Sequence, residues 1–210
     1  MRSLVLSLLV LAVTTVYGQD KSYRPVADPA VVEKKIMDNS LKVSSITSDF
    51  VQEKKMEYLD EVLVSKGKFW YKHESKLRWQ YDEPYEYIIA IRNGSFYIKD
   101  GVKVKVYDVA GNPAFREMND LILKIARGTL AGDKRFEIEM YENDRFYLLR
   151  LRPIDAALKG FLQTTEIYLS KSDLSAEKVV MHETETDYTQ ITFINRKLNN
   201  EIPESIFDIK

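Results

Sequence analysis

Apolar and polar side chains alternate along most of the chain after residue 44, and this period of two restricts the fold more than any other feature. In the sequence LRWQY, the apolar Leu77, Trp79 and Tyr81 lie on one side of an extended strand. The intervening Arg78 and Gln80 lie on the other side. Segments of this kind are rich in β-branched and aromatic residues and are separated by turn residues, so they predict about eleven strands. The predicted strands span residues 45–58, 61–72, 76–82, 86–92, 95–99, 102–108, 134–142, 145–152, 161–170, 176–183 and 188–196.

Two segments have the periodicity of a helix instead. Asp28 followed by Pro29 is typical of a helix N-cap with proline at the first helical position, and the helix should end near residue 40. A second helix is predicted over residues 113–127, before Gly128, which suits a helix C-terminus. Its apolar residues recur at intervals of three and four residues, and they include Phe115, Met118, Ile122 and Ile125.

About eleven short strands are too many for a flat sheet, so we expect one antiparallel sheet that curls or closes on itself. The two amphipathic helices are the candidates to cover its concave face. The expected fold class is therefore α+β, a curved antiparallel sheet with an apolar inner face covered by helices. Alternation alone leaves open whether the space inside is filled or hollow. The predicted inner-face residues are Phe50, Phe69, Leu77, Trp79, Tyr81, Ile89, Ile91, Phe96, Ile98 and Val104, together with Val102 and Val106.

Residues 1–18 have the layout of a secretory signal peptide. A positively charged start precedes an apolar run over residues 3–16, and the small Gly18 comes just before the first polar residues. We predict cleavage after Gly18 and a single mature domain over residues 19–210, whose first residues are polar and irregular. The alternative is an uncleaved membrane anchor, but the apolar run is shorter than the ~20 residues that a spanning helix needs.

The charges of the chain are nearly balanced, with 31 Lys and Arg against 32 Asp and Glu. Removing residues 1–18 removes Arg2 and no acidic residue, so 30 basic and 32 acidic residues remain and the net charge becomes −2. Nucleic acid is therefore not an expected partner, because its phosphates reward a basic excess. The chain contains no cysteine, so it can neither form a disulfide nor carry a lipid on a cysteine.

Residues suited to catalysis or metal binding are sparse. His73 and His182 are the only histidines, and the sequence contains no zinc-ligand spacing, G-x-S-x-G motif, H-E-x-x-H motif or phosphate-binding loop. We therefore predict no catalytic residue, no metal and no cofactor. An envelope hydrolase is the least favoured function, because no nucleophile is paired with a base.

Five groups of short motifs occur in order along most of the mature chain. They are V-S-S to F-V-Q at 43–52, G-K-F-W-Y-K with L-R-W-Q-Y and E-P at 67–84, I-I to N-G at 88–94, L-K-I-A-R at 123–127, and I-P-E-S-I-F at 202–207. In this order they resemble the motifs of the LolA family of periplasmic lipoprotein carriers. The resemblance implies an incomplete β-barrel whose apolar interior is closed by helices.

The resemblance also implies a function. A LolA-like protein is a monomeric, non-enzymatic carrier in the periplasm of a Gram-negative (diderm) bacterium, and it shields the acyl chains of lipoproteins in a hydrophobic cavity. Such a carrier receives its cargo from an inner-membrane ABC transporter and delivers it to an outer-membrane acceptor. Two alternatives keep the fold. One is a carrier of another lipid or an acylated small molecule, and the other is an envelope interaction module with a filled core.

In this interpretation the helix over residues 113–127 is a lid that leaves the sheet when acyl chains enter. Its contacts with the sheet would come from Phe115, Met118, Ile122 and Ile125. Family members often have an arginine after the W-x-K segment that bonds the lid helices. His73 stands at that place here, and it lacks arginine's fixed fork and permanent charge. Either the latch is weaker here, or Arg78 or Lys72 supplies it, so His73 and Arg78 are the candidate latch residues.

Overall fold

The computed structural model describes residues 23–73, 76–108, 120–125 and 129–209 of the chain. Its strands are β1 (Arg24–Pro25), β2 (Ser45–Lys55), β3 (Leu63–Lys72), β4 (Lys76–Glu83), β5 (Tyr87–Arg92), β6 (Ser95–Asp100), β7 (Lys103–Asp108), β8 (Phe136–Glu142), β9 (Phe146–Pro153), β10 (Thr164–Ser170), β11 (Ala176–His182) and β12 (Tyr188–Leu198). Its helices are α1 (Pro29–Ser40), the helical residues 120–125, named α2, and α3 (Ala156–Lys159), with 3-10 turns at Thr129–Gly132 and Glu204–Phe207.

All twelve described strands belong to one antiparallel sheet, in the order β1-β8-β9-β10-β11-β12-β2-β3-β4-β5-β6-β7. β1 and β7 are its two ends and do not pair with each other, so the sheet is not closed. The predicted antiparallel sheet with few helices is confirmed. β1 is the additional strand. β1 lies in the polar first residues of the mature chain, which the sequence predicts to be irregular, and it pairs with β8. It was not predicted because two residues are too few to show a period in the sequence.

α1 begins and ends where the sequence predicts. The side chain of Asp28 accepts a hydrogen bond from the backbone N–H of Val31 at 3.2 Å, and Pro29 occupies the first turn. Val32 and Ile36 are buried against the sheet. α2 confirms part of the second predicted helix. The other residues of that prediction, including Phe115 and Met118, lie outside the described residues, as do residues 1–18 of the predicted signal peptide.

The pairing register shows which side chains share the inner face, because residues directly opposite each other in a ladder point to the same side. Gly67 lies opposite Phe50 on β2 and Tyr81 on β4. Since Gly67 has no side chain, the rings of Phe50 and Tyr81 meet across it with their centroids 5.2 Å apart. Aromatic rings of β2, β3 and β4 are therefore in contact with one another on the inner face.

The predicted inward orientation of β7 is wrong. Tyr107 pairs with the buried Phe96 and packs against the core, which turns Val104 and Val106 to the outer face. Val102 lies in the preceding turn and is 96% exposed. The alternation in this segment is equally compatible with either face, and the register with β6 decides between them.

None of the helices in the described parts of the chain is both long enough and apolar enough to cross a membrane.

Candidate functional site

A cavity of about 300 Å³ lies between the inner face of the sheet and α2. This volume is at the lower end of the ~300–1,000 Å³ typical of ligand-binding pockets. Residues from both halves of the sheet and from α2 enclose it. They are Ile46, Ser48, Gln52, Phe69, Trp79, Tyr81, Ile89, Leu121, Ile122, Ile125, Phe161, Ser175, Ala176, Val179, Met181, Ile191, Phe193 and Arg196.

Aromatic rings form one wall of the cavity. Trp79 lies at the centre of the group, with ring centroids 4.9 Å from Phe50, 5.2 Å from Phe69 and 5.9 Å from Phe193. Two of these three pairs are edge-to-face, an arrangement that aromatic pairs prefer, and the pair with Phe50 is tilted. β12 and β2 are neighbours in the sheet, so Phe193 extends the aromatic wall of β2–β4 to the last strand, β12.

The few polar groups of the cavity are mostly satisfied by the protein itself. The Tyr81 hydroxyl donates to Oε1 of Gln52 at 2.9 Å. Burial of the hydroxyl is the main cause that raises the pKa of Tyr81 to about 12, and electrostatic repulsion from Tyr87 adds to it. The phenol of Tyr81 therefore stays neutral. Ser48 Oγ lies 2.8 Å from the carbonyl oxygen of Ile194. Arg196 is the charged side chain among the lining residues, and its surroundings are described further below.

α2 forms the roof of the cavity. Leu121 is buried, and Ile122 and Ile125 are half-buried and packed on the core. The contacts that α2 makes with the cavity are therefore apolar side-chain contacts.

A cluster of charges ties α2 to the turn before β8. Asp120 of α2 pairs with Arg135, and Lys124 of α2 pairs with Asp133 at 2.9 Å. Arg135 also pairs with Asp133 at 2.6 Å. Burial of Asp133 would raise its pKa, but hydrogen bonds from Arg135 and Lys124 outweigh burial and hold the pKa of this carboxyl well below its usual range. The four side chains therefore form one network that anchors the roof.

The structure places the ten predicted cavity residues in three groups. Phe69, Trp79, Tyr81 and Ile89 line the cavity. The next group belongs to the core around it: Phe50, Leu77, Ile91 and Phe96 are buried, and Ile98 is partly buried against them. Val104 is 37% exposed and lies on the outer face, away from the cavity.

The predicted latch residues are not on the roof. Arg78 lies on the outer face of β4, where Nη1 donates to the carbonyl oxygen of Ile206 at 2.8 Å and the guanidinium lies 5.9 Å from the Trp70 ring. It therefore binds the C-terminal segment rather than α2. His73 lies in the turn after β3, where its backbone N–H donates to the carbonyl oxygen of Ser44 at 2.8 Å. The network around Arg135 holds α2 instead.

Sequence reasoning missed the part of the cavity lining that comes from β11 and β12. It consists of Val179 and Met181 of β11, and Ile191 and Phe193 of β12. Their alternation with polar neighbours was visible in the sequence, but only the pairing of β12 with β2 brings them to the same cavity. No group of three His, Cys, Asp or Glu residues within the described ranges could hold a metal ion.

Solved structures with a similar fold come from several bacteria. One is an uncharacterized conserved protein from Thermus thermophilus, with 10% identity and a TM-score of 0.53 over 84% of this chain and 92% of that chain. Another is a DUF1329 family protein from Desulfovibrio piger, with 14% identity and a TM-score of 0.50 over 86% of this chain and 98% of that chain. The MucA/MucB complex of Pseudomonas aeruginosa matches with 14% identity and a TM-score of 0.55, over 87% of this chain and 62% of that chain. At these identities the similarity establishes the fold alone.

A comparison with curated protein sequences finds no match. The family model described as outer membrane lipoprotein carrier protein LolA matches residues 41–210, which is 170 of the 210 residues. The match includes β2–β12, α2 and every residue that lines the cavity. The chain therefore belongs to the LolA family.

Proposed function

We propose that the protein is a periplasmic carrier that shields the acyl chains of lipoproteins in this cavity and delivers them from the inner to the outer membrane. The single observation that carries the proposal is an apolar cavity under a roof, α2, whose contacts with it are themselves apolar. The mature carrier would be a monomeric single domain over residues 19–210. Its donor would be an inner-membrane ABC transporter, and its receiver an outer-membrane acceptor.

The energetics of acyl chains explain why a roof is useful. Each buried methylene contributes about 0.8 kcal/mol, so a long acyl chain represents on the order of 10 kcal/mol. A carrier must offer comparable burial and still release its cargo. When an acyl chain displaces Ile122 and Ile125, one apolar contact replaces another, and only the difference between the two remains. Loading and release can then both lie near balance, so transfer follows a gradient of affinity between donor, carrier and acceptor.

An interaction module is the second candidate function. A chain of similar fold occurs together with a protein partner in the MucA/MucB complex. In addition, Val104 and Val106 on β7 expose apolar surface at an end of the sheet. In this interpretation the partner would bind the outside of the protein and the cavity would stay closed.

Native mass spectrometry of protein purified from its own envelope without detergent tests the proposal. The wild-type protein should carry lipoprotein, and Trp79→Glu should lose this cargo because it places a charge in the apolar wall. Val104→Glu is the matched control, since it makes the same kind of change on the outer face and should retain the cargo. Circular dichroism checks that both variants are folded.

Each result of this experiment has a distinct meaning. Bound free lipid in place of lipoprotein would make the protein a carrier of another lipid. A co-purified protein without acyl chains, bound by wild type and Trp79→Glu alike but lost from Val104→Glu, would support the interaction module and overturn the carrier.

A further inference from the structure

A β-bulge turns one charged side chain into the cavity. Two residues of β12, Asn195 and Arg196, oppose the single β2 residue Ser48, because the register shifts between Ile194 and Lys197. Asn195 has a φ of 55°, a left-handed conformation that asparagine adopts more readily than most residues. The extra residue leaves Asn195 exposed and Arg196 facing inward. Bulges re-aim side chains in this way and are often found beside functional sites.

The charge of Arg196 is only partly compensated. Its side chain is 15% exposed, and Nη2 donates to Oε2 of Glu177 at 3.3 Å. The other oxygen of the same carboxylate lies 4.0 Å from Nη2 of Arg145. Arg196 therefore shares the carboxylate of Glu177 with a second guanidinium group, which is exposed to solvent.

One buried donor at the cavity has no acceptor within the part of the chain that the structure describes. It is Nη1 of Arg196, whose side chain lines the cavity. A buried donor without an acceptor costs free energy, and the cost is larger for a charged group. By contrast, Oε1 of Gln52, an acceptor in the same lining, already accepts a hydrogen bond from the Tyr81 hydroxyl. The cavity thus offers a charged donor to a ligand.

We propose that the cavity selects acyl lipids whose head group presents a carboxylate or carbonyl oxygen, and that Nη1 of Arg196 is the donor that binds this oxygen. The inference rests on the proposed function and adds the chemistry of the head group to it. The acyl chain lies along the aromatic wall around Trp79, and the oxygen lies at Arg196. A hydrogen bond from a charged donor is stronger than a neutral one, and a low local dielectric strengthens it further. A few such polar groups in an apolar pocket fix the orientation of a ligand.

Binding of three amphiphiles with the same chain tests this assignment. The probes are dodecanoate, methyl dodecanoate and dodecyltrimethylammonium, each below its micelle concentration and at neutral pH, measured by calorimetry. Wild-type protein should prefer dodecanoate to the cationic probe by at least about tenfold, the order expected of one charge-assisted hydrogen bond. Arg196→Met should reduce this preference to about threefold or less, and Arg196→Lys should retain part of it.

Arg145→Gln is the matched control. It also removes a positive charge from Glu177, but Arg145 is 73% exposed and is not among the lining residues. This variant should keep most of the wild-type preference, because a solvent-exposed ion pair at 4.0 Å is weak and the Nη1 donor of Arg196 is unchanged. Methyl dodecanoate distinguishes the sources of the oxygen: binding close to that of dodecanoate indicates an esterified lipid, and binding close to that of the cation indicates a free anionic head group.

The two proposals fail in different ways. If wild-type protein binds all three probes equally, or if Arg196→Met keeps the preference, the role of Arg196 is wrong and the carrier function is untouched. If folded wild-type protein binds none of the three, the carrier function itself is overturned. Should Arg196→Met not fold, the wild-type comparison of the three probes and the Arg196→Lys variant decide the question.

Discussion

A Cβ atom at Gly67 would lie 1.9 Å from the carbonyl oxygen of Gln80 and 2.9 Å from Cζ of Phe50. Both distances are far inside van der Waals contact, so Gly67→Ala must push β4 or the Phe50 ring away. We expect this variant to lose about 3 kcal/mol of unfolding free energy, as overpacked core sites do. Urea denaturation followed by circular dichroism measures the loss.

Gly160→Ala is the control for this prediction. A Cβ atom there would meet its nearest neighbour, the carbonyl oxygen of Ala157, at an ordinary 3.5 Å. The unfolding free energy of Gly160→Ala should change by less than about 1 kcal/mol. The alanine causes no clash in the folded protein, and its only other effect is a small stabilisation, because alanine lowers the entropy of the unfolded chain. Equal losses in the two variants would show that the contact between β3 and β4 does not depend on glycine.

Single residues also show how much of the inner face the sequence could predict. Trp79 and Val104 have the same alternating context, and only the register separates a cavity residue from an exposed one. Arg196 could not be found at all, because its inward orientation depends on a bulge that interrupts the period of two. Periodicity therefore predicts the inner face except where the register or a bulge changes it.

Among the elements, α2 has the clearest functional consequence. Asp120 joins it to Arg135, and its carboxylate is 39% exposed, so Asp120→Asn removes this link without burying an unpaired charge. Partly exposed ion pairs contribute about 0.5–1 kcal/mol, so the variant should exchange a bound fluorescent fatty acid about two- to fivefold faster. Stopped-flow displacement by unlabelled fatty acid measures the rate.

Asp38→Asn controls for the loss of a carboxylate from a helix. Asp38 pairs with Lys34 at 2.7 Å on the exposed side of α1, away from the cavity. The Asp38→Asn variant should exchange the bound fluorescent fatty acid at the same rate as the wild-type protein. If Asp120→Asn also exchanges at the wild-type rate, opening of α2 does not limit entry, and a permanently open cavity becomes the better description.

The prediction of the elements was limited by their length. Strands of six residues or more have enough alternating positions to be recognised, and β2–β12 all lie within predicted segments or within two residues of them. β1 and α3 have two and four residues, which is too short for a period. The network that anchors α2 joins residues 120 and 135, and no local pattern indicates such a pairing.

At the scale of the whole molecule, the arrangement of the sheet creates the cavity. Pairing of β12 with β2 places the last strand beside the first long one, so apolar residues from both halves of the sheet face the same space. If α2 moves as proposed, an open sheet would exchange a bulky apolar ligand more easily than a closed barrel. The family resemblance anticipated this architecture, whereas alternation alone left a filled core open.

The most direct measurement uses the two tryptophans of the chain. Trp79 lines the cavity, whereas Trp70 is on the outer face beside Arg78. Brominated fatty acid quenches fluorescence only on contact, so it should quench Trp70→Phe, which keeps Trp79, in a saturable manner. Trp79→Phe, which keeps Trp70, should remain unquenched at the same concentrations. Absence of quenching in folded Trp70→Phe, or equal quenching of both variants, would contradict an acyl-binding cavity at Trp79.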